Sequence, residues 1–269
     1  MKILNTFLIS LLILAISCSQ QTQTIKQTSN QVRNVEILKN GNTSGIETKD
    51  VNYGPAVGFL AQPKEQGVYP AVVMMHEWWG LNDNIKEMAR SLAAEGYVVL
   101  AVDLFNGKVA KDATEARELI TPINKNPEDV IKNMKSAVAF LKNQKNVNKD
   151  LIGSMGWCFG GGMSLQLALN EPMNSTVIYY GNLVTDKEKL KTIKWPVLGI
   201  FGEKDQSIPV ESARSFSKAI DELGIPNEIY IYPNVGHAFA NPSGMNYAPE
   251  ETKDAWKKTV EFLDKNLKS

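Results

Sequence analysis

The sequence predicts an α/β fold: a mostly parallel central sheet with helices on both faces. Two observations carry that prediction. Strand-like and helix-like runs alternate along most of the chain, the connectivity that builds parallel sheets. Several strands, such as "VVLAVDLF" and "PVLGIFGE", are short continuous apolar runs, as expected where both faces are covered. The 269 residues, 43% hydrophobic and 22% charged, suit one large domain of this kind. Lys plus Arg (29) equals Asp plus Glu (29), so no basic excess points to nucleic acid.

The first residues stand apart from the fold. Lys2 precedes "FLISLLILAIS", an apolar run too short for a comfortable membrane span. It ends at "AISC", which resembles the lipobox of a bacterial lipoprotein signal, with Ala15 where Leu is usual. That resemblance implies cleavage before Cys18 and lipidation of its thiol. The plainer alternative is an ordinary secretory signal with Cys18 incidental. Residues 1–17 are thus read as a signal peptide. Residues 18–33, rich in Gln, Thr and Ser, are read as a polar tether, and residues 34–269 as the folded domain. The expected location is a bacterial cell envelope, with the exported protein held to a membrane by its lipid.

The elements follow in order. "AVGFLAQP" and "YPAVVMMHE" read as strands. "NIKEMARSLAAEGY" has helical spacing, with Ile85, Met88, Ala89 and Leu92 on one face and Gly96 at its end. "VVLAVDLF" is a buried strand, and the segment after it, which carries Arg117, is helical. "PEDVIKNMKSAVAFLKNQ" is an amphipathic helix. "DLIGSMGW" is a strand leading into the helix "GGMSLQLALN", and "STVIYYG" and "PVLGIFGE" are two more buried strands. "VESARSFSKAIDELG" is a helix, "NEIYIYPN" a strand, and "EETKDAWKKTVEFLDKNL" a closing amphipathic helix. No repeat and no second domain is visible.

One of the two cysteines sits in "MGWCFGGG", at a strand-to-helix junction. Gly156-x-Cys158-x-Gly160 is the G-x-S-x-G nucleophile elbow with Cys for Ser. Such a turn needs small neighbours so that strand and helix can approach. The following helix N-terminus favours a thiolate and offers N–H groups to an oxyanion. A lone cysteine is more often a small buried side chain; the elbow context argues otherwise. A thiol nucleophile needs a base and the base an orienting acid. His76 and His237 are the only histidines. His237 follows the last strand, in "NVGHAFAN"; Asp205 follows a buried strand, in "FGEKDQSIP". The order Cys158, Asp205, His237 is that of an α/β hydrolase, and all three follow strands, at the edge where such sheets bind ligands. Glu203 is a rival for the acid.

"MMHEWWGLND" places His76 beside Glu77, but Gly80 stands where a zincin helix needs its second histidine, so no metal site is expected. Nothing calls for a cofactor. With "HEWWGLND", "GWCFGGG", "GEKD" and "GHAF" together, the chain from about Asn34 onward resembles the dienelactone hydrolases, cysteine members of the α/β-hydrolase superfamily. The resemblance implies an α/β-hydrolase fold and a Cys158–His237–Asp205 triad. It implies that Glu77 hydrogen-bonds the resting thiol and takes part in its activation. It gives the oxyanion hole to the backbone N–H groups of Trp78 and Phe159. Trp78 and Trp157 would wall the pocket or pack the core. One departure is plain. The enzymes that open dienelactone carry an arginine shortly after the histidine, which clamps the substrate carboxylate; here "HAFANP" has Ala240 and Asn241. Of the four arginines, Arg33, Arg90, Arg117 and Arg214, only Arg117 is placed to serve, and a solvated surface charge is its other reading.

The expected activity is hydrolysis of a small ester, lactone or thioester through a Cys158 acyl intermediate. Two other classes stay open at this level: a lipid-anchored binding protein on a non-catalytic α/β-hydrolase scaffold, and a thiol redox protein, which would lack a resolving cysteine. The sequence leaves the oligomeric state undetermined.

Overall fold

The computed structural model describes residues 43–268. The segments read above as a signal and a tether, with Cys18 and Arg33, lie outside them, as do the first residues assigned to the domain. Eight strands form one sheet: β1 (Ile46–Asn52), β2 (Val57–Pro63), β3 (Tyr69–Met75), β4 (Val98–Val102), β5 (Val147–Trp157), β6 (Ser175–Tyr179), β7 (Val197–Gly202) and β8 (Asn227–Tyr232). Their order is β1-β2-β4-β3-β5-β6-β7-β8. The pairs β1/β2 and β2/β4 are antiparallel and every other pair is parallel. The helices are α1 (Asp83–Ala94), α2 (Ala113–Lys125), α3 (Glu128–Lys142), α4 (Phe159–Asn170), α5 (Lys187–Leu190), α6 (Val210–Glu222) and α7 (Pro249–Leu267).

The expected two-sided cover is visible along β3. Ala71, Val73 and Met75 join an apolar cluster with Met134 and Leu141 of α3 and Leu167 of α4. Val72 and Met74 point to the opposite face and are equally buried. α1 buries Ile85, Met88, Ala89 and Leu92, the stripe its spacing predicts, and Asn82 caps it by accepting the Ile85 N–H at 3.2 Å. A second apolar cluster joins Leu198's neighbour Val197, Phe201, and Phe216 and Ile220 of α6.

Two elements escaped the sequence reading. β1, "IETKDVN", is exposed over most of its length and shows no apolar alternation, because it is an antiparallel edge strand. α5 is only four residues long.

The strand order positions the site. From β3 the chain moves outward to β4, then returns to pair β5 on the other side of β3. That reversal leaves a crevice beyond the carboxyl ends of β3 and β5. His76 to Trp78 leave β3 there, and Cys158 leaves β5.

Candidate active site

Cys158 stands between β5 and α4 with φ 53° and ψ −118°. A non-glycine residue holds such a backbone only when its surroundings impose it, at a cost on the order of 1–3 kcal/mol. The surroundings are visible. The Cys158 N–H donates to Tyr179 O at 3.0 Å, which ties the elbow to β6. A side chain at Gly156 would collide with the Gly160 backbone, and one at Gly160 with the Met75 and His76 carbonyls. The glycines therefore let α4 start hard against the end of β3.

Three side chains from three strand ends converge. His237 Nε2 lies 3.0 Å from Cys158 Sγ, and His237 Nδ1 lies 2.8 Å from Asp205 Oδ2. Asp205 is buried, and its other oxygen accepts the Ser207 and Ile208 N–H groups at 2.7 and 2.8 Å. Both carboxylate oxygens are thus occupied and the acid cannot rotate freely. Asn246 Nδ2 donates to the His237 carbonyl at 2.9 Å and steadies the histidine loop. Burial opposes a charge on His237, but its hydrogen bonds to Asp205 and Cys158 outweigh burial and push the ring up to about 10. Glu203, the rival acid, is exposed and accepts the Asn234 N–H instead.

Glu77 departs from the expected arrangement. The resemblance implies a carboxylate bonded to the resting thiol; here the thiol's partner is His237. Glu77 Oε2 accepts from Asn241 Nδ2, and Oε1 has no hydrogen-bond partner among the described residues. Asn241 is one of the two residues that stand where the resemblance would put an arginine, and its neutral amide holds Glu77 through a hydrogen bond. Burial pushes Glu77 up to about 7, against the pull of the His237 charge and the Asn241 bond. Tyr180, which the sequence reading missed, leaves β6 with φ 35°, is fully buried, and packs its ring 5.4 Å from His237. The signal that could have found it is its place one residue past a strand end, before Gly181.

These groups surround a cavity of about 460 Å³. Trp78 and Trp79 line it and are half-buried. Trp157 does not; it is buried against Tyr179, with ring centroids 5.4 Å apart, so the pocket-wall reading of Trp157 is corrected to core packing. The N–H groups of Trp78 and Phe159 have no acceptor among the described residues. Arg117 is exposed outside the lining, with its guanidinium 5.8 Å from the Trp78 ring. The lining contains no Lys or Arg. Among the described residues no group of three or more His, Cys, Asp or Glu side chains could hold a metal ion.

Residues 57–267 match the model of the dienelactone hydrolase family. "Protein usf" of Aquifex pyrophilus is 33% identical over 217 residues, covering 78% of this chain and 93% of its own. A protein of Saccharolobus solfataricus named "Putative carboxymethylenebutenolidase" is 33% identical over 242 residues, covering 76% and 92%. The crystal structure of a dienelactone hydrolase-like promiscuous phosphotriesterase from metagenomic libraries superposes with a TM-score of 0.75. It is 23% identical and covers 82% of this chain and 98% of that one, a likeness of fold.

Proposed function

The chain belongs to the dienelactone hydrolase family, and we propose that it hydrolyses small uncharged esters, lactones or thioesters through a covalent intermediate on Cys158. The observation that carries this reading is the unbroken chain Asp205–His237–Cys158, closed at 2.8 and 3.0 Å beside a cavity. Sγ attacks the substrate carbonyl, and the oxyanion forms between the Trp78 and Phe159 N–H groups. One such donor contributes roughly 3–4 kcal/mol in a well-studied hydrolase. As the tetrahedral species collapses, the carbon–oxygen bond (carbon–sulfur in a thioester) breaks and His237, which took the Cys158 thiol proton as Sγ attacked, protonates the leaving alkoxide or thiolate. His237 then takes a proton from water, which attacks the thioester and frees the acid and the thiol. Asp205 fixes the ring tautomer and stabilises the imidazolium.

The absence of Lys and Arg from the lining, with Glu77 inside it, supports an uncharged substrate. A carboxylate would enter a low-dielectric site with no fixed cation except the catalytic imidazolium. The test is rapid mixing with p-nitrophenyl acetate, followed by intact-protein and peptide mass spectrometry. One acetyl group should appear on Cys158. Turnover without that adduct, surviving in Cys158→Ala, would sink the mechanism.

The N-terminal reading stands beside this one: export, with lipid on Cys18. The full chain made in a bacterium should incorporate labelled palmitate and sediment with membranes, and Cys18→Ser should do neither. A wild-type protein recovered unlabelled and soluble would return Cys18 to an ordinary signal.

A further inference from the structure

His76 takes no part in the chemistry above, yet it is fully buried at the end of β3, one residue before Glu77. Both its nitrogens are used. Nε2 lies 3.1 Å from the Leu104 nitrogen and accepts that N–H, which leaves the ring hydrogen on Nδ1. Nδ1 lies 2.6 Å from the Glu77 carbonyl oxygen, to which it donates. The ring cannot turn away. Phe105 packs edge-on at 4.6 Å and Phe159 stacks at 6.1 Å between centroids.

The Glu77 carbonyl belongs to the same peptide unit as the Trp78 N–H. No peptide bond in the described chain is cis, and a trans peptide carries its N–H opposite its C=O. Anchoring the oxygen therefore fixes the direction of the hydrogen. The carbonyl is held twice, by His76 and by the Gly80 N–H at 3.2 Å. Donation to the oxygen also polarises the amide and makes its N–H a better donor. On the far side of the unit the Trp78 N–H has no acceptor among the described residues, and Trp78 lines the cavity with Cys158. We propose that His76 is the positioning residue of the oxyanion hole: a neutral imidazole that clamps the Glu77 carbonyl and thereby aims the Trp78 amide.

This rests on the acyl-transfer reading, because the aimed amide is given its use there. The alternative is a buried histidine that only braces the loop after β4 through Leu104. The two can be separated because the nitrogens have different neighbours. His76→Asn keeps a donor near the Nδ1 position and loses the acceptor for Leu104. His76→Gln keeps an acceptor near the Nε2 position and loses the donor to Glu77.

The experiment compares the wild-type full chain with both variants in p-nitrophenyl acetate turnover, Cys158 alkylation by iodoacetamide, and the Trp78 amide ¹⁵N shift. His76→Gln should lower kcat roughly a hundredfold, the loss of one oxyanion donor, with alkylation unchanged because that reaction needs no oxyanion hole. Its Trp78 amide signal should move. His76→Asn should stay within about fivefold of wild type, with the amide signal in place. The proposal is overturned if His76→Gln keeps wild-type turnover, if both variants lose turnover equally, or if the Trp78 signal ignores the donor. Should either variant fail to fold, the other still decides through its amide signal. A wild-type protein that turns over no ester would instead remove the acyl-transfer reading, and the amide shift would still report whether His76 aims the peptide.

Discussion

The chain's two histidines leave strands of the same parallel sheet at the same edge, and their surroundings drive them in opposite directions. His76 is buried against a carbonyl and an amide. Desolvation dominates and lowers its ring to about 4, against the pull of the Glu77 carbonyl and Asp103. His237 is partly exposed and lies between a carboxylate and a sulfur; desolvation is overcome and the ring rises to about 10. The contrast teaches that an imidazole's role follows from how deeply it is buried and which groups bond its two nitrogens. Fully buried and bonded to peptide groups at both nitrogens, it is a fixed dipole that holds a loop. Between Asp205 and Cys158 it can gain and lose a proton during a reaction.

The largest effects should come from breaking the charged side of that contrast. Cys158→Ala should leave a folded protein with ester turnover at background, since a small side chain replaces a small one at an already imposed backbone. Asp205→Asn should fold and lose about 10⁴-fold in kcat, because the Ser207 and Ile208 N–H groups keep the amide oxygen and turn its NH2 toward Nδ1, which forces the wrong ring tautomer. Both are read by p-nitrophenyl acetate hydrolysis alongside thermal melting. Turnover near wild type in either folded variant would show that His237 is not working between these two partners.

Much of this side was legible beforehand, for a physical reason. An elbow needs glycines at fixed offsets, and Gly156 and Gly160 announce the close approach of β5, α4 and β3. The order nucleophile, acid, histidine reflects how a parallel sheet delivers loops to one edge. Arg117 fell outside the lining, as its surface reading had it, and Glu203 lost to Asp205 because it faces solvent. The neutral side was harder to read. Nothing local marks Asn241 as the partner of Glu77, 164 residues away, or His76 as a clamp on its neighbour's carbonyl. Those roles depend on which atoms burial leaves facing one another. β1 was invisible for the opposite reason: an exposed edge strand has no apolar pattern to betray it.

A smaller effect should follow from adding charge to the neutral side. Asn241→Arg would place a guanidinium beside Glu77, in a lining without other Lys or Arg. Matched substrates, one ending in a methyl group and one in a carboxylate, report the result as a ratio of kcat/KM. Wild type should prefer the neutral ester, and the variant should shift that ratio toward the anion by roughly ten- to a hundredfold, the range of a partly screened charge contact. A ratio that stays put would mean that the acyl group does not reach Asn241, and that the uncharged preference is set elsewhere.

The smallest effect concerns stability, and it tests whether the Glu77 side is neutral at all. Burial raises the Glu77 carboxyl from its ordinary 4.5 to about 7. The folded protein therefore keeps a proton that the unfolded chain has released between these values. Unfolding then releases a proton in this window, so stability falls as pH rises through it, and the full penalty stands above 7. Glu77→Gln carries no such proton and can still accept from Asn241. Its advantage over wild type should be near zero below pH 4.5, grow between 4.5 and 7, and level off above, at about 1–3 kcal/mol. The His237 charge, which pulls the Glu77 carboxyl down, must be kept the same in both proteins, so the difference between the two melting curves is the quantity to follow. A constant difference from pH 4 to 8 would show that folding leaves the Glu77 carboxyl at its ordinary value, and the site would then hold a carboxylate beside the thiol at neutral pH.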